Sequence, residues 1–428
     1  MTPQAFAAEL QAARARTLAL TADLAGERQF GPRLAIVNPP RWELGHVGWF
    51  QEYWCLRRTA PERFSSARAA SILPQADSLY NSATVPHETR WSLPLPEFEA
   101  TRRYCAEVLA RTVAQLGRRC DADDAYFAHL ALRHEDMHAE AFHYTRQTLG
   151  YEAPPLADAE RPGGERVSGD AEIPGGTFPL GAAPDAAFVF DNEKWAHAVT
   201  LAPFRMARAA VSNAEYEAFV EEGGYRRREL WSEAGWRWLA QSGREAPLYW
   251  KREGRDWRLR RFDRWIALPA DEPAAHVNWY EADAYCRYAG RRLPCEAEWE
   301  FAACWDARAG RKRRNPWGDE PWTPRRACLA QASLASVHAY PEGDNPWGVR
   351  QLIGNVWEWT SSTFRPYSGF SPDPYQEYSA PWFGTHQVLR GGAFTTSPRI
   401  AYGGYRNFFT PDRADVFAGL RTCAIEAG

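Results

Sequence analysis

Two histidines four positions apart are the residues of this sequence whose spacing most directly supports chemistry. His134 and His138 stand in a stretch of helix-forming residues. On a helix, positions i and i+4 share one face a turn apart, so two imidazoles can converge on a single metal ion. Glu140 follows two positions later and points elsewhere on the helix, which favours a supporting role over ligation. The pair therefore predicts a metal site whose third ligand comes from another segment.

His46 is the predicted third ligand. It stands between Trp42 and Trp49 in a second helical run, where the aromatic residues should face the interior. Three histidines leave positions open on Fe(II) or Zn(II) for water, substrate or O2. However, His129 and His143 share the helix of His134, and histidine pairs on helices often lie on the surface or form hydrogen bonds in the core. The residues alone leave a metal site and a structural pair as open alternatives.

The second half of the chain places many aromatic residues in segments without helical or strand periodicity. Trp, Tyr and Phe in loops can enclose a quaternary ammonium group through cation–π attraction. Tyrosine hydroxyls in such loops can also donate protons to a reacting group. The alternative is that these aromatic residues form the core of a domain with few strands.

The first 150 residues predict a four-helix bundle that would position the histidines. Thr2-Pro3 and Asp121 are good helix starts, and Gly150 is a natural helix end. Prolines make residues 59–95 irregular, and this long connection would cross the bundle. The predicted helices cover residues 3–26, 41–58, 96–116 and 121–150.

The remainder of the chain differs in composition and in the periodicity of its apolar residues. Residues 151–170 are rich in Pro, Gly and acidic residues and predict a linker. Residues 171–428 predict a mixed domain with much irregular structure, so the whole chain is expected to be α+β. In this domain the periodicity indicates strands over 171–180 and 197–204 and helices over 212–222 and 279–290.

Composition excludes several classes of protein. The 428 residues include 51 Lys+Arg and 54 Asp+Glu, a net charge of −3, whereas a nucleic-acid-binding domain is normally basic. The 8 cysteines form no CxxC pair and indicate reduced thiols rather than a disulfide framework. With no secretory signal and no apolar run of membrane-spanning length, the sequence predicts a cytoplasmic protein without nucleic-acid or membrane partners.

The order of motifs resembles a two-domain enzyme family, the sulfoxide synthases of the ergothioneine pathway. Gly45-His46, the His134/His138/Glu140 spacing and Asp77–Ser82 resemble the DinB-like helical domain of these enzymes. The second half resembles their formylglycine-generating-enzyme-like, or C-type-lectin-like, domain. The matching pieces are Ile173–Phe178, Val211–Tyr216, Arg292–Glu300, Gly354–Thr360 and Leu389–Gly392. The resemblance implies a DinB-like four-helix bundle over 1–150, a linker over 151–170, and a formylglycine-generating-enzyme-like domain over 171–428.

The resemblance also implies a function. It implies a mononuclear non-haem Fe(2+) held by His46, His134 and His138, and an O2-dependent reaction at C2 of the imidazole of hercynine, which is trimethylated histidine. The loop aromatic residues would then hold the trimethylammonium group. Tyr367 resembles the tyrosine that the family places near iron as a proton or electron donor, with Tyr402 and Tyr405 as further candidates. The residues predicted to contact the substrate are Asn407 and Phe408.

Several positions depart from the family pattern. Met137 stands where some members carry a glutamine between the two histidines, and it is a predicted substrate contact. His87 and Arg90 occupy the neighbourhood of an arginine that binds a γ-glutamyl donor in the family. Asp415 lies in a tail where an Arg-Trp-Gln-like run normally stands, and it would either orient the donor or form a structural pair. This tail resembles the selenoneine synthase branch, which joins selenium from a selenosugar to hercynine.

Three further hypotheses compete with a C–Se bond-forming enzyme that uses a selenosugar. The first is a sulfoxide synthase of the ergothioneine type, with γ-glutamylcysteine or cysteine as the sulfur donor. The second is a Zn(II)-dependent thiol transferase of the DinB type, which needs no O2. The third is a non-catalytic binding module in which the bundle serves as a scaffold. The favoured hypothesis implies only small-molecule partners: hercynine, the donor and O2.

Overall fold

The computed structural model describes residues 2–59, 62, 64–156 and 161–425, and it combines helices and strands as the sequence predicted. Its residue contacts divide the chain into two units. The first unit comprises Met1–Leu156 with Asp373–Glu377, and the second comprises Ala157–Pro372 with Tyr378–Gly428. Residues 157–160 of the predicted linker lie outside the described residues.

The first unit consists mainly of helices. Thr2 caps the first helix by accepting a hydrogen bond from the Ala5 amide, and Asp121 forms a capping box with Asp124 at the last. Gly150 ends the last helix in the left-handed conformation, with φ at 66°, so these predicted ends are confirmed. The helices are α1 (Pro3–Leu20), α2 (Pro40–Gln51), α3 (Ala76–Tyr80), α4 (Phe98–Arg118) and α5 (Ala122–Leu149).

Two predicted helix ends and one region predicted to be irregular were wrong. Helix α1 ends at Leu20 rather than near residue 26, because the backbone leaves the helical conformation at its C-cap Thr21, with φ at −118° and ψ at 4°. Helix α2 stops at Gln51 and continues as a π turn over Glu52–Leu56. The region 59–95 contains α3, since its prolines flank that short helix instead of interrupting it.

Close packing around α2 depends on two glycines. A Cβ added at Gly45 would lie 2.2 Å from the Tyr80 ring on α3, and one at Gly48 would lie 2.7 Å from Sγ of Cys105 on α4. Helices α1 and α2 both pack on α4 and α5, which gives the predicted four-helix bundle. Glycines at these two positions therefore allow α3 and α4 to approach the helix that carries His46.

A buried guanidinium joins the four long helices. Arg14 on α1 bonds through Nε and an Nη nitrogen to Glu135 on α5, at 2.7 and 3.1 Å. Its other contacts are the Cys105 carbonyl on α4, at 2.6 Å, and Gln51 Oε1 on α2, at 2.8 Å. The side chains of Arg14 and Glu135 are 2% and 3% exposed, so this ion pair is shielded from water.

The second unit is built from short elements joined by long loops. Its strands are β1 (Asp170–Ile173), β2 (Gly176–Leu180), β3 (His197–Leu201), β4 (Phe204–Ala207), β5 (Trp250–Glu253), β6 (Asp256–Arg261), β7 (Arg264–Ala267), β8 (Arg291–Arg292), β9 (Trp305–Asp306), β10 (Arg311–Lys312), β11 (Trp357–Thr363), β12 (Gln387–Arg390), β13 (Asn407–Phe409), β14 (Ala418–Gly419) and β15 (Cys423–Ala424). They form sheets with the strand orders β1-β4-β15-β8, β13-β12-β11-β14, β5-β6-β7, β2-β3 and β10-β9. The helices are α6 (Asn213–Glu221), α7 (Glu233–Ser242), α8 (Trp279–Tyr288) and α9 (Glu296–Cys304).

The sequence predicted α6 and α8 but missed α7, α9 and the β5–β7 meander. The strand predicted over 171–180 is two strands, β1 and β2, because Gly175 turns the chain between them with φ at 66°. Within the described residues, no helix is both long and apolar enough to cross a membrane. All 8 cysteines are free thiols, as expected.

Buried charges tie the core of the second unit together. Arg421 pairs with Glu358 at 2.7 Å and also donates to the backbone carbonyls of Ala207 and Arg350, which is a structural role.

His276 is a buried histidine of the same unit. It packs against the rings of Tyr249 and Phe417, and burial lowers its pKa to about 3. Its imidazole is therefore neutral in the folded protein over the ordinary pH range.

Candidate metal centre

Three histidines of the first unit converge on one point. His46 projects from α2, and His134 and His138 project from α5. The Nε2 atoms of His46 and His138 each lie 3.2 Å from Nε2 of His134. In the part of the chain that the structure describes, these three residues form the one cluster of His, Cys, Asp or Glu with metal-ligand spacing, all within 4.8 Å.

The donor set fits a divalent transition metal. An ion about 2.1 Å from two nitrogens that are 3.2 Å apart would see them at about 100°. That angle lies between the octahedral and the tetrahedral value. Burial, reinforced by the charge of His138, lowers the pKa of both His46 and His134 well below the usual histidine value. Both rings are therefore neutral and keep a lone pair for a metal.

Neighbouring groups orient two of the rings through their other nitrogen. The Tyr80 carbonyl lies 2.8 Å from Nδ1 of His46, and Glu43 Oε1 lies 2.7 Å from Nδ1 of His138. Each contact leaves Nε2 free to face the centre of the cluster.

Aromatic rings of α2 support the cluster. Trp42 stacks on His46 with ring centroids 4.9 Å apart, and Phe50 stacks flat on His134 at 3.5 Å. Trp42, His46 and Phe50 recur every four residues and so share one helix face, which explains the aromatic density seen in the sequence.

Tyr375 is a site residue that the sequence reasoning missed. Its segment, Asp373–Glu377, belongs to the first unit, and its ring packs edge-on against Phe50 at 5.0 Å and against His134 at 6.2 Å. Burial raises the pKa of Tyr375, so its phenol keeps its proton at neutral pH. The sequence offered only an aromatic residue in a Pro-rich loop, a signal that many other positions share.

The three tyrosines predicted to be catalytic lie in the second unit. Tyr402 donates to Glu193 Oε1 at 2.7 Å, and the hydroxyl of Tyr405 lies 3.2 Å from that of Tyr378. Tyr367 is buried with the guanidinium of Arg406 3.9 Å from its ring centroid. These contacts give each tyrosine a structural setting, and their catalytic roles stay predictions.

Of the substrate contacts predicted in the first unit, Arg90 is linked to the histidine cluster through Trp42, which stacks on His46. Arg90 stacks over Trp42, with 3.9 Å between the guanidinium carbon and the ring centroid, and it donates to Asn38 Oδ1. Met137 precedes His138 on α5. Nε2 of His87 lies 2.8 Å from the Val37 carbonyl, which fixes this ring to the connection before α2.

One substrate contact predicted in the second unit, Phe408, belongs to a cluster of aromatic rings. Asn407 and Phe408 both lie on β13. Phe408 packs 6.0 Å from Tyr378, and Phe190 contacts both Tyr378 at 4.7 Å and Tyr405 at 5.6 Å. The sequence reasoning missed Phe190 and Tyr378.

Asp415 is buried and accepts two hydrogen bonds from Arg413, at 2.5 and 2.7 Å. This ion pair corresponds to the structural role that the sequence offered as the alternative to orienting the donor.

Comparison with known proteins identifies the family. Residues 9–142 match the DinB superfamily, and residues 157–426 match the sulfatase-modifying factor enzyme 1-like domain. The chain is 39% identical to a hercynine oxygenase of Mycolicibacterium thermoresistibile, over 97% of this chain and 94% of that protein. It is 38% identical to a hercynine oxygenase of Mycolicibacterium smegmatis, over 98% of both chains. The chain belongs to the hercynine oxygenase family.

Membership of the hercynine oxygenase family confirms the predicted resemblance and the predicted order of the two folds. Hercynine oxygenases are oxygen-dependent oxidoreductases, as the resemblance implied. The second domain has wider relatives: a formylglycine-generating enzyme of Streptomyces coelicolor is 31% identical over 64% of this chain and 96% of that protein. The selenoneine branch stays a prediction.

Proposed function

We propose that this member of the hercynine oxygenase family is a non-haem Fe(II) enzyme that uses O2 to form a carbon–chalcogen bond at C2 of the hercynine imidazole. The observation that carries the proposal is the convergence of three histidine Nε2 atoms in a chain related to hercynine oxygenases over nearly its whole length. Three protein ligands leave open positions on the ion for small molecules. When bound, iron would supply the activation of O2 and a coordination site for the chalcogen donor.

Residues around the cluster would prepare it for this chemistry. His46, His134 and His138 would hold the ion through Nε2, since all three Nε2 atoms face one point. Tyr375 would supply a proton to the reaction, because its buried phenol stays protonated and packs against His134. The ring of Tyr375 contacts one of the proposed ligands, and Tyr367, Tyr402 and Tyr405 stay the other candidates for the proton donor.

A trimethylammonium group is a permanent cation with no N–H to donate, so aromatic faces are its natural partners. We assign this role to the aromatic cluster of Phe190, Tyr378, Tyr405 and Phe408 in the second unit. A Phe408→Leu variant is then expected to lose preference for hercynine over histidine. Equal use of both substrates by the wild type would contradict this assignment.

The selenosugar is the proposed chalcogen donor. Two sequence departures support it: Met137 replaces a glutamine found in some members, and Ala414–Val416 replace an Arg-Trp-Gln-like run. The pairing of Asp415 with Arg413 gives that replaced segment a structural use. The competing proposal is a sulfur enzyme that takes γ-glutamylcysteine or cysteine.

One experiment tests the reaction and the donor together. The protein is loaded with Fe(II) without oxygen and then given hercynine and O2, with selenosugar, γ-glutamylcysteine or cysteine in parallel reactions. Product mass identifies the donor, and oxygen consumption separates this chemistry from a Zn(II)-dependent transferase. The His134→Ala variant, which lacks one proposed ligand, is expected to lose iron and activity. Failure of the wild type to take up iron would refute the proposed function, and turnover would exclude a pure binding module.

A further inference from the structure

Glu43 is a buried carboxylate that contacts one of the three clustered histidines. It stands on α2 three positions before His46 and is 1% exposed. Its Oε1 lies 2.7 Å from Nδ1 of His138 on α5. Helix α2 therefore carries one proposed ligand and also a side chain that acts on a second ligand from another helix.

The three histidines differ in what holds their outer nitrogen. His46 faces a neutral acceptor, the Tyr80 carbonyl, at 2.8 Å. Nδ1 of His134 is buried without a hydrogen-bond partner among the described residues, and this ring is held by its stack on Phe50. His138 alone of the three has a carboxylate as its acceptor. The cluster is therefore asymmetric in charge as well as in geometry.

Burial of Glu43 satisfies only one of its two carboxylate oxygens in the described residues. Its Oε2 is buried and has no hydrogen-bond partner in the described part of the chain. A buried polar atom without a partner typically costs about 1–3 kcal/mol. The guanidinium of Arg90 interacts electrostatically with Glu43, but it is held on the ring of Trp42. Each buried polar atom without a partner in a native core calls for an explanation, and here the carboxylate lies beside the three histidines.

A carboxylate at Nδ1 has two effects on an imidazole. It fixes the tautomer that carries the proton on Nδ1, which leaves the Nε2 lone pair for a metal. It also makes the ring a stronger donor, and loss of such a partner typically weakens metal binding about 10- to 100-fold.

We propose that Glu43 is a positioning residue of the metal centre. Through Nδ1 of His138 it fixes the tautomer of that ring and makes His138 the strongest donor of the three. The inference rests on the metal centre of the proposed function but not on its substrates. Glu43 acts through His138 and does not touch the reacting atoms.

The test is Co(II) binding by the full-length protein without oxygen, followed by titration and visible absorption. Glu43→Gln keeps an acceptor oxygen but removes the charge, and it is expected to raise Kd about 10-fold. Glu43→Ala removes both, and it is expected to raise Kd about 100-fold. In both variants the Co(II) spectrum should shift while the far-ultraviolet circular dichroism stays that of the wild type.

The matched control is Glu52→Gln. Glu52 is also 1% exposed and follows α2 directly, but its oxygens accept from Tyr104, Ser71 and the Ile72 amide. This variant is expected to lose stability yet keep the wild-type Kd and spectrum.

Wild-type Kd and spectrum in both Glu43 variants would overturn the inference and leave the proposed function standing. The same weakening in Glu52→Gln would also overturn it, because general loosening of the bundle would then explain the effect. A wild-type protein that binds no Co(II) would refute the metal centre itself.

Discussion

The guanidinium of Arg14 bonds to a residue on each of the other three long helices of the bundle. Its removal should therefore lower the stability of the whole first unit. The change we consider is Arg14→Met, which keeps the length of the side chain and removes its charge. It would leave the carboxylate of Glu135, only 3% exposed, without its cation, and would also free acceptors at Gln51 and Cys105. Breaking a buried pair in this way typically costs about 3–5 kcal/mol, and we expect that loss in the free energy of unfolding.

The assay is urea unfolding of the full-length protein, followed by far-ultraviolet circular dichroism, which reports mainly on α1, α2, α4 and α5. The double variant Arg14→Met/Glu135→Leu removes both charges, so it should recover most of the loss. The control is Arg111→Met on α4, whose pair with Glu107 is 57% and 48% exposed, and it should stay close to wild type.

Two results would refute this reasoning. One is an Arg14→Met variant that loses less than about 1 kcal/mol, since a buried unpaired carboxylate could not then be present. The other is a double variant whose loss of unfolding free energy equals the sum of the losses in the single variants Arg14→Met and Glu135→Leu. That additivity would mean that Arg14 and Glu135 contribute independently rather than as a pair.

Three further predictions concern the site and the second unit. Tyr375→Phe should bind Co(II) as the wild type does but form product at least 100-fold more slowly, and an unchanged rate would exclude the proton-donor role. Gly45→Ala should destabilise the bundle by about 1–3 kcal/mol in urea because its Cβ meets Tyr80, whereas Gly117→Ala on α4 meets nothing and should be neutral or stabilising. Between pH 6.5 and about 3 the unfolded chain protonates His276 and the folded chain does not, so stability falls as the pH falls. His276→Asn should remove about 1.4 kcal/mol per pH unit from that slope in urea unfolding, and an unaltered slope would contradict the assigned pKa.

Local patterns in the sequence were enough to predict much of the first unit. The ends of α5 follow from the side-chain cap at Asp121 and the left-handed backbone of Gly150, which both act within a few residues. The clustering of His134 and His138 follows from the helical repeat, and the aromatic residues of α2 indicated that His46 faces inward. In the second unit, strands such as β8 and β9 are two residues long, too short for a periodic pattern, so tertiary contacts decide them.

The residues that complete the site depend on contacts between distant segments. Nothing in the sequence near Glu43 indicates that its carboxylate meets His138 on another helix. Tyr375 stands among several tyrosines of one Pro-rich region, and only the path of the chain decides which of them reaches His134. The same holds for Arg14, which looks like a surface residue of an amphipathic helix and is instead buried at the centre of the bundle.

The placement of Tyr375 limits how the two halves of this protein could be recombined. The segment Asp373–Glu377 packs with the helices although it is encoded within the other half of the chain. A helical unit that ended at Leu156 would therefore lack the ring that covers His134. Any new partner fused to this bundle, by evolution or by design, would have to bring its own aromatic residue to that position or leave the histidine face open to water.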